Sequence, residues 1–174
     1  MRGSAGSRSN GRRRRRSIVR PCPLQSRAVS GRPRDLETFR PYAAEMPLAL
    51  LARSGAAPED VAQVVALDLV RVAKLRGEIV AAYGIRPLGP VAYQLVALAV
   101  EPAWRGRRFG RWMLGHALGL AESRGGREVW VQGCAHERFL ARAGFAPIRC
   151  GWPPQEMGPE GGGAAHLYLA LTPE

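Results

Sequence analysis

Residues 105–111 combine arginine with glycine in a pattern that is suited to binding phosphate. They read Arg105, Gly106, Arg107, Arg108, Phe109, Gly110 and Arg111. Free backbone N–H groups at the start of a helix bind phosphate oxygens with the helix dipole behind them, and glycines let a ligand approach the main chain. Arginine side chains add positive potential and pair with phosphate directly. The segment therefore predicts an anion site, and the ligand we expect is a nucleotide diphosphate, with Gly110 so close to it that little room remains for a Cβ.

Strongly patterned segments flank this turn on both sides. The run from Ala92 to Val100 is apolar except for Gln94, which predicts a central strand that is buried on both faces. Residues 109–124 repeat apolar side chains at helical spacing and end at Gly125-Gly126, which predicts a helix of about four turns. A strand, a basic turn and a helix thus place free N–H groups at the end of the strand.

Weaker patterns predict the remaining elements. Residues 36–54 favour one or two short helices interrupted by Pro41 and Pro47, and Pro58 favours the first turn of another helix. Alternation over residues 69–74, a turn at Arg76-Gly77-Glu78 and an apolar stretch to Ile85 predict a β-hairpin. The other expected elements are a strand at 128–131, a short helix at 138–143 closed by Gly144, and strands at 145–150 and 166–171.

Positive charge is concentrated at one end of the chain. The 174 residues carry a formal net charge of +12, yet eleven arginines and no acid fall within residues 1–34. Residues 35–174 are therefore nearly neutral. The run Arg12–Arg16 and the low apolar content predict a disordered arginine-rich tail over 1–34 and one folded domain over 35–174. We expect this tail to attract nucleic acid at most non-specifically, and its removal to leave folding unchanged.

Cysteine usage and hydropathy argue against several classes of protein. Cys22, Cys134 and Cys150 are odd in number and lack the paired spacing of a zinc site, so we expect reduced thiols and no metal. No stretch approaches the ~20 continuous apolar residues of a membrane span. These features predict a cytoplasmic protein without a membrane partner. The oligomeric state stays open, with a homodimer as one alternative.

Two motifs and the elements around them resemble the GNAT N-acetyltransferase superfamily. The first is a strand that ends in Val-x-Pro, here Val100-Glu101-Pro102, and is followed by Arg/Gln-x-x-Gly-x-Gly/Ala, here residues 105–110. Arg108 occupies the place of the first family glycine. The second motif is Phe-Tyr-x-x-x-Gly-Phe, which is similar to residues 139–145. The resemblance extends over about residues 42–174.

The resemblance implies an α/β (α+β) GNAT fold, in which a mixed central β-sheet is flanked by helices and splayed between its fourth and fifth strands. In this chain those strands are 92–100 and 128–131. The family binds acetyl-CoA as cosubstrate, with the pantetheine arm in the gap and a bulge in the fourth strand that exposes main-chain groups. The binding residues that the resemblance implies are Leu98, Ala99 and Val100, together with residues 105–111.

The usual catalytic groups of the family are replaced in this sequence. The family often has a carboxylate that takes a proton from the amine, and its position falls on Gln94, which cannot act as a base. The family tyrosine that protonates the leaving thiolate falls on Leu140. Positioning alone still contributes much of the rate for an activated thioester. The candidate substitute bases are Glu101, His136, Glu137 and His166, each of which also has a purely structural interpretation.

Three hypotheses about function remain at this point. The first is an N-acetyltransferase that moves an acetyl group from acetyl-CoA to a primary amine of a small molecule or protein. The second is a catalytically weak acyl-CoA-binding sensor or regulatory module, favoured by Gln94 and Leu140. The third is a nucleic-acid-associated protein that uses the tail. The sequence does not identify the amine acceptor. His116 lies on the apolar stripe of the predicted helix, and we expect it to be a core or boundary residue.

Overall fold

The computed structural model describes residues 35–132, 136–147 and 166–171. The predicted tail, the three cysteines and residues 148–150 of the predicted strand lie outside this part of the chain. Seven strands are described: β1 Glu37–Phe39, β2 Val70–Leu75, β3 Glu78–Pro87, β4 Ala92–Val100, β5 Glu128–Gln132, β6 Ala146–Pro147 and β7 His166–Ala170. The α-helices are α1 Leu48–Ala52, α2 Pro58–Ala66, α3 Phe109–Ser123 and α4 Glu137–Ala141, and short 3-10 helices span Ala43–Glu45 and Pro102–Trp104.

The strands form one mixed sheet in the order β1-β2-β3-β4-β5-β7-β6. All neighbouring strands are antiparallel except β4 and β5, which are parallel. These two strands pair only at their first residues, and the last pair joins Gln94 to Trp130. The rest of β4, from Leu95 to Val100, has no strand partner on this side among the described residues. The predicted mixed sheet, opened between its fourth and fifth strands, is confirmed.

The hairpin of β2 and β3 is closed by Arg76 and Gly77, two of the three residues expected in the turn, because Glu78 already belongs to β3. Arg76 and Gly77 have φ angles of 55° and 86°, as a two-residue turn that matches the twist of the strands requires. Glycine adopts this left-handed conformation without a steric penalty, whereas Arg76 does not. The predicted hairpin is confirmed, and β3 extends two residues beyond its expected end.

Helices cover both faces of the sheet. On one face α3 buries Phe109, Met113 and Leu114 against β3 and β4, which yields the larger of the apolar clusters. On the other face α1 and α2 bury Leu51 and Val64. The predicted α3 is confirmed, and so is the start of α2 at Pro58. No helix in the described ranges is long and apolar enough to cross a bilayer.

The first described strand differs from the sequence prediction. Residues 37–39 form an edge strand that pairs with residues 72–74 of β2, whereas the apolar spacing from Leu36 onward favoured a helix there. That expectation is wrong, because backbone hydrogen bonds to β2 outweigh a weak local periodicity. Pro41 and Pro47 do interrupt the segment as expected, and α1 begins directly after Pro47.

A polar contact lies inside the larger cluster. His116 Nδ1 is 2.7 Å from the hydroxyl oxygen of the fully buried Tyr83. Burial raises the pKa of Tyr83 well above its ordinary value, so the phenol stays neutral. Burial also lowers the pKa of His116, and the positive charge of Arg71 lowers it further. His116 is thus the boundary residue of α3 that the sequence predicts.

The shifted histidine predicts that the free energy of unfolding falls as the pH drops below about 6.5. Because the pKa of His116 is lower in the native state, the unfolded chain binds the proton more readily, and protonation favours unfolding. The contribution of His116 to the free energy of unfolding is complete above the pKa that His116 has in the unfolded chain, and it is lost as the pH falls through the lower pKa of the native state. Urea unfolding at pH 7.5, 6.5 and 5.5 should show less pH dependence in His116→Gln than in wild type. His136→Gln changes an exposed histidine, and an equal loss of pH dependence there contradicts the assignment.

Candidate functional site

An open cleft of about 690 Å³ lies where β4 and β5 separate. Its walls come from the second half of β4, the turn before α3, the first turn of α3, the end of β5, α4, and the connection between α1 and α2. The parallel pairing stops at Gln94, so one wall is a strand edge rather than a covered sheet. An extended ligand therefore meets backbone groups along β4 and basic side chains at its end.

Backbone N–H and C=O groups of β4 point into this cleft. Gly84 pairs with Ala97 but Ile85 pairs with Leu95, which makes Val96 the extra residue of a β-bulge, as the resemblance implied. The N–H of Glu101 donates to the carbonyl of Val80. Because hydrogen bonds alternate along an antiparallel ladder, Ala99 faces β3, whereas the backbone groups of Leu98 and Val100 face the gap. Among the three residues expected near the pantetheine, these two present their main chain to the cleft.

The turn before α3 uses two left-handed residues. Gly106 has a φ of 76° and Arg108 a φ of 67°, and Arg108 is the N-cap of α3 without a side-chain cap bond. The second position is the one at which the family has glycine. A non-glycine residue in this conformation costs about 1–2 kcal/mol, so the backbone explains the family preference. Arg108 adopts this left-handed conformation at the expense of some stability.

Gly110 lies in the first turn of α3, on the cleft wall. A Cβ built on it would be 3.7 Å from Phe139 Cζ and 3.7 Å from Val100 Cγ2, which are ordinary contacts. The protein itself thus leaves room for a methyl group at this position. The expected shortage of space at Gly110 depends on a bound ligand alone.

Arginine dominates the charge of the cleft. Arg105, Arg108 and Arg111 line it, and the Nε of Arg105 donates to the carbonyl of Val100 at 3.1 Å. Arg107 instead lies over the ring of Trp104, 4.8 Å from its centroid, and is not on the cleft wall. The lining also includes two further residues, Arg53 and Arg142, and none of its described members is Asp or Glu. Such a cleft attracts anions.

The candidate bases occupy different positions around the cleft. His136 lines it, as does the buried Leu140. Glu101 Oε1 accepts a hydrogen bond from Arg53 Nη2 at 2.7 Å, which makes it half of a salt bridge at the edge of the cleft. Glu137 is the exposed first residue of α4 and lies outside the lining. His166 opens β7 and pairs with Gln132 in the register of the sheet, so its backbone is beside the cleft. The structure therefore brings only some of the candidates together.

Gln94 occupies the vertex at which the sheet opens, and it is 2% exposed. Its Oε1 accepts a hydrogen bond from Arg86 Nε at 2.6 Å, and its Nε2 lies 3.5 Å from Gln132 Oε1. Arg86 also donates to Asp60 Oδ1 at 2.7 Å and to Gln63 on α2. The position of the family carboxylate is thus held by an amide that is fixed by an arginine.

Sequence reasoning missed several of these residues. Arg53 lies in the polar break between α1 and α2, and that break was the available signal. Arg142 precedes Gly144 in the second motif. Arg86 and Gln132 carry no local signal, because their roles depend on strand register and on contacts between distant elements. Within the described residues, no group of three His, Cys, Asp or Glu is placed to hold a metal ion.

Three solved structures share this fold at low sequence identity. The N-acetylglutamate synthase of Neisseria gonorrhoeae, solved with CoA and N-acetyl-glutamate, matches with a TM-score of 0.68 and 14% identity over 79% of this chain and 35% of its own. A Mycobacterium tuberculosis protein in complex with CoA matches with a TM-score of 0.64 and 18% identity, over 78% of this chain and 99% of its own. A GNAT family acetyltransferase of Elizabethkingia anophelis with acetyl-CoA bound matches with a TM-score of 0.60 and 15% identity, over 78% of this chain and 98% of its own. The chain spans about a third of the synthase and nearly all of the other two.

The sequence itself places the chain in the same class. A profile of the acetyltransferase (GNAT) family matches residues 40–145, a range that includes both motifs. No curated protein matches the sequence significantly. The chain belongs to the GNAT acetyltransferase family.

Proposed function

We propose that the chain is an N-acetyltransferase that moves the acetyl group of acetyl-CoA to a primary amine of a small molecule or protein. The observation that carries the proposal is the continuous cleft from the vertex of the sheet, along the free edge of β4, to the basic turn that opens α3. A thioester carrier with a long arm and a diphosphate end fits such a cleft. We expect the protein to work in the cytoplasm.

The described residues fit acetyl-CoA along the whole cleft. The backbone groups of Leu98 and the N–H of Val100 would bind the amide groups of the pantetheine arm, since the carbonyl of Val100 already accepts from Arg105. The N–H groups at the start of α3, with Arg108 and Arg111 beside them, would bind the diphosphate. Gly110 leaves space for a ligand close to the helix backbone. CoA or acetyl-CoA is bound in the related structures from Neisseria, Mycobacterium and Elizabethkingia, which supports the same ligand here.

The amine must lose a proton before it attacks the thioester, because an ammonium ion is not a nucleophile. Gln94 cannot accept that proton and Leu140 cannot donate one to the thiolate. We propose His136 as the first base to test, since it alone of the four candidates has a described side chain on the cleft wall, and His166 as the second. Without a base, positioning and proton transfer to solvent would carry the reaction.

The second candidate function is a catalytically weak acyl-CoA-binding module. It is favoured by Gln94, which is bound to Arg86 rather than free to act, and by the apolar Leu140. Release of free thiol from acetyl-CoA, measured over a panel of amines, separates this module from an enzyme when CoA affinity is measured in parallel. Tight CoA binding without amine-dependent thiol release favours the module.

Acetyl-CoA is expected to raise the melting temperature of the full chain. A ligand that binds only the native state stabilises it by about 2.7 kcal/mol at a hundredfold excess over its Kd, which corresponds to about 5–10 °C for a domain of this size. Differential scanning fluorimetry with millimolar acetyl-CoA measures the change, with acetate at equal concentration as the control. An unchanged melting temperature rules out the cofactor.

Arg108→Gly is expected to raise stability and to weaken CoA binding. The glycine removes the left-handed penalty, and after its own entropy cost the unliganded protein gains about 0.5–1 kcal/mol. Arg108 is exposed on the cleft wall with a guanidinium available for phosphate, so its loss should reduce affinity about three- to tenfold and lessen the salt dependence. Calorimetric titration at two salt concentrations tests this.

Arg107→Gln is the matched control for that experiment, because it removes one charge from the same turn at a side chain outside the cleft. It should change CoA affinity far less. Affinity that holds or improves in Arg108→Gly would mean that the side chain points away from the phosphates.

A further inference from the structure

A chain of four polar side chains crosses the sheet at its vertex. It consists of Asp60 on α2, Arg86 on β3, Gln94 on β4 and Gln132 on β5, and we call it the vertex relay. The Arg86 and Asp60 side chains are 14% and 26% exposed, whereas Gln132 is exposed and lines the cleft. The relay therefore begins under α2 and ends at the surface of the candidate site.

The direction of every hydrogen bond in the relay follows from Arg86, its second member. A guanidinium only donates, so the atom of Gln94 that lies 2.6 Å from Arg86 Nε must be its oxygen. The amide nitrogen of Gln94 then faces Gln132 at 3.5 Å, the longest link of the relay, and the atom that receives it must also be an oxygen. The free amide group of Gln132 is consequently a donor at the cleft.

The relay lies far from the phosphate end of the cleft. Val100, the last residue of β4, lies six positions after Gln94, which is about 20 Å at about 3.3 Å per residue. Gln132 lies two residues beyond Trp130, the partner of Gln94, so it is about 13 Å from the level of Val100. A donor at the vertex therefore meets the reacting end of the site, where the thioester and the amine come together, and not the diphosphate. The described cleft wall holds arginines and no carboxylate, which disfavours a second ammonium group on the acceptor.

We propose that the vertex relay makes Gln132 a specificity-determining residue, which donates a hydrogen bond to an oxygen on the acceptor beside its amine, most favourably a carboxylate. The acceptor class is then an amino acid or a related amine that carries a carboxylate or carbonyl oxygen. This inference rests on the proposed acetyltransferase function. Arg86 acts through Gln94 and is a positioning residue.

Gln132→Met tests the end of the relay, because methionine has a similar shape and no donor. The probes are acceptor pairs that differ in the α-carboxylate: alanine with ethylamine, leucine with 3-methylbutylamine and glutamate with 4-aminobutyrate. Amino-acid amides separate a carbonyl from a carboxylate. Wild type should prefer the carboxylate member at least about tenfold in kcat/KM, and the variant should lose most of this preference through KM.

Gln94→Glu tests the direction of the relay. The new carboxylate still accepts from Arg86, so the fold keeps its contact, but it cannot donate to Gln132. The side-chain amide of Gln132 must then turn so that its nitrogen faces the new carboxylate at position 94 and its oxygen faces the cleft. The preference for the carboxylate member of each pair, measured as the ratio of kcat/KM values, should then be lower than in wild type by about tenfold or more. A carboxylate that merely acted as a base would raise kcat for both members alike.

The outcomes separate the relay from the cofactor assignment. Wild type without a preference for the carboxylate member overturns the inference, and so does an equal change for both members of each pair in either variant. CoA should still raise the melting temperature of Gln132→Met, because this change leaves the residues proposed to bind the diphosphate as they are. A failure of CoA to raise the melting temperature of wild type contradicts the proposed function itself.

Discussion

Gly110→Val is expected to weaken CoA binding at least tenfold, or about 1.4 kcal/mol, while the protein stays folded. Gly110 lies where the helix backbone meets the cleft, and a branched side chain would occupy the space that the diphosphate needs. A Cβ at this position would lie 3.7 Å from both Phe139 and Val100, which are ordinary contact distances, so the unliganded fold should tolerate the change. Isothermal titration with CoA, on protein shown to be folded by circular dichroism, measures the loss.

Gly110→Ala and Gly115→Ala form a matched pair for this test. Both replace glycine in α3 by the best helix former, so each should raise or preserve the stability of the unliganded protein, by up to about 1 kcal/mol. A Cβ at Gly115 meets nothing within 4 Å, and Gly115 is not on the cleft wall. Only the change at Gly110 should reduce affinity. Unchanged CoA affinity in Gly110→Val would remove the basic turn from the proposed function.

The elements that the sequence predicted well have strong local causes. β4 is an apolar run with one polar residue, α3 has four turns of apolar spacing with Gly125 at its end, and the hairpin turn contains Gly77. Each signal survives in the structure because burial and backbone conformation agree with it. The splay of the sheet is different: it was implied by resemblance to a family, and no local pattern at Gln94 predicts where the pairing with β5 ends.

The residues that the sequence did not predict depend on contacts between distant segments. β1 forms because β2 offers an edge, and the salt bridge of Arg53 with Glu101 joins residues 48 positions apart. Gln94 appears in the sequence as a missing base, whereas the structure shows an amide held by Arg86. Side-chain networks of this kind follow from strand register and from packing, neither of which leaves a periodic signal.

Phe109→Ala is expected to lower the free energy of unfolding by about 3–5 kcal/mol. Phe109 is 1% exposed, opens α3 and belongs to the larger apolar cluster. Its ring also stacks on that of Trp104, with 5.8 Å between centroids. Truncation leaves a cavity next to the basic turn, which loses both the stacking contact with Trp104 and the packing of Phe109 in the apolar cluster. A domain of this size has about 5–15 kcal/mol to lose, and urea unfolding measures the change.

Phe39→Ala is the matched control, because it makes the same substitution at a ring that is 41% exposed on β1. Its cost should stay below about 1 kcal/mol, most of it from the contact with Lys74 Nζ, 5.7 Å from the ring centroid. Phe109→Leu fills most of the cavity and should recover more than half of the loss. CoA affinity provides a second test. If Phe109 holds the basic turn in its conformation, Phe109→Ala should weaken CoA binding by the folded protein, whereas Phe39→Ala should not. Equal losses of stability at the two positions would contradict the burial of Phe109 beneath the site.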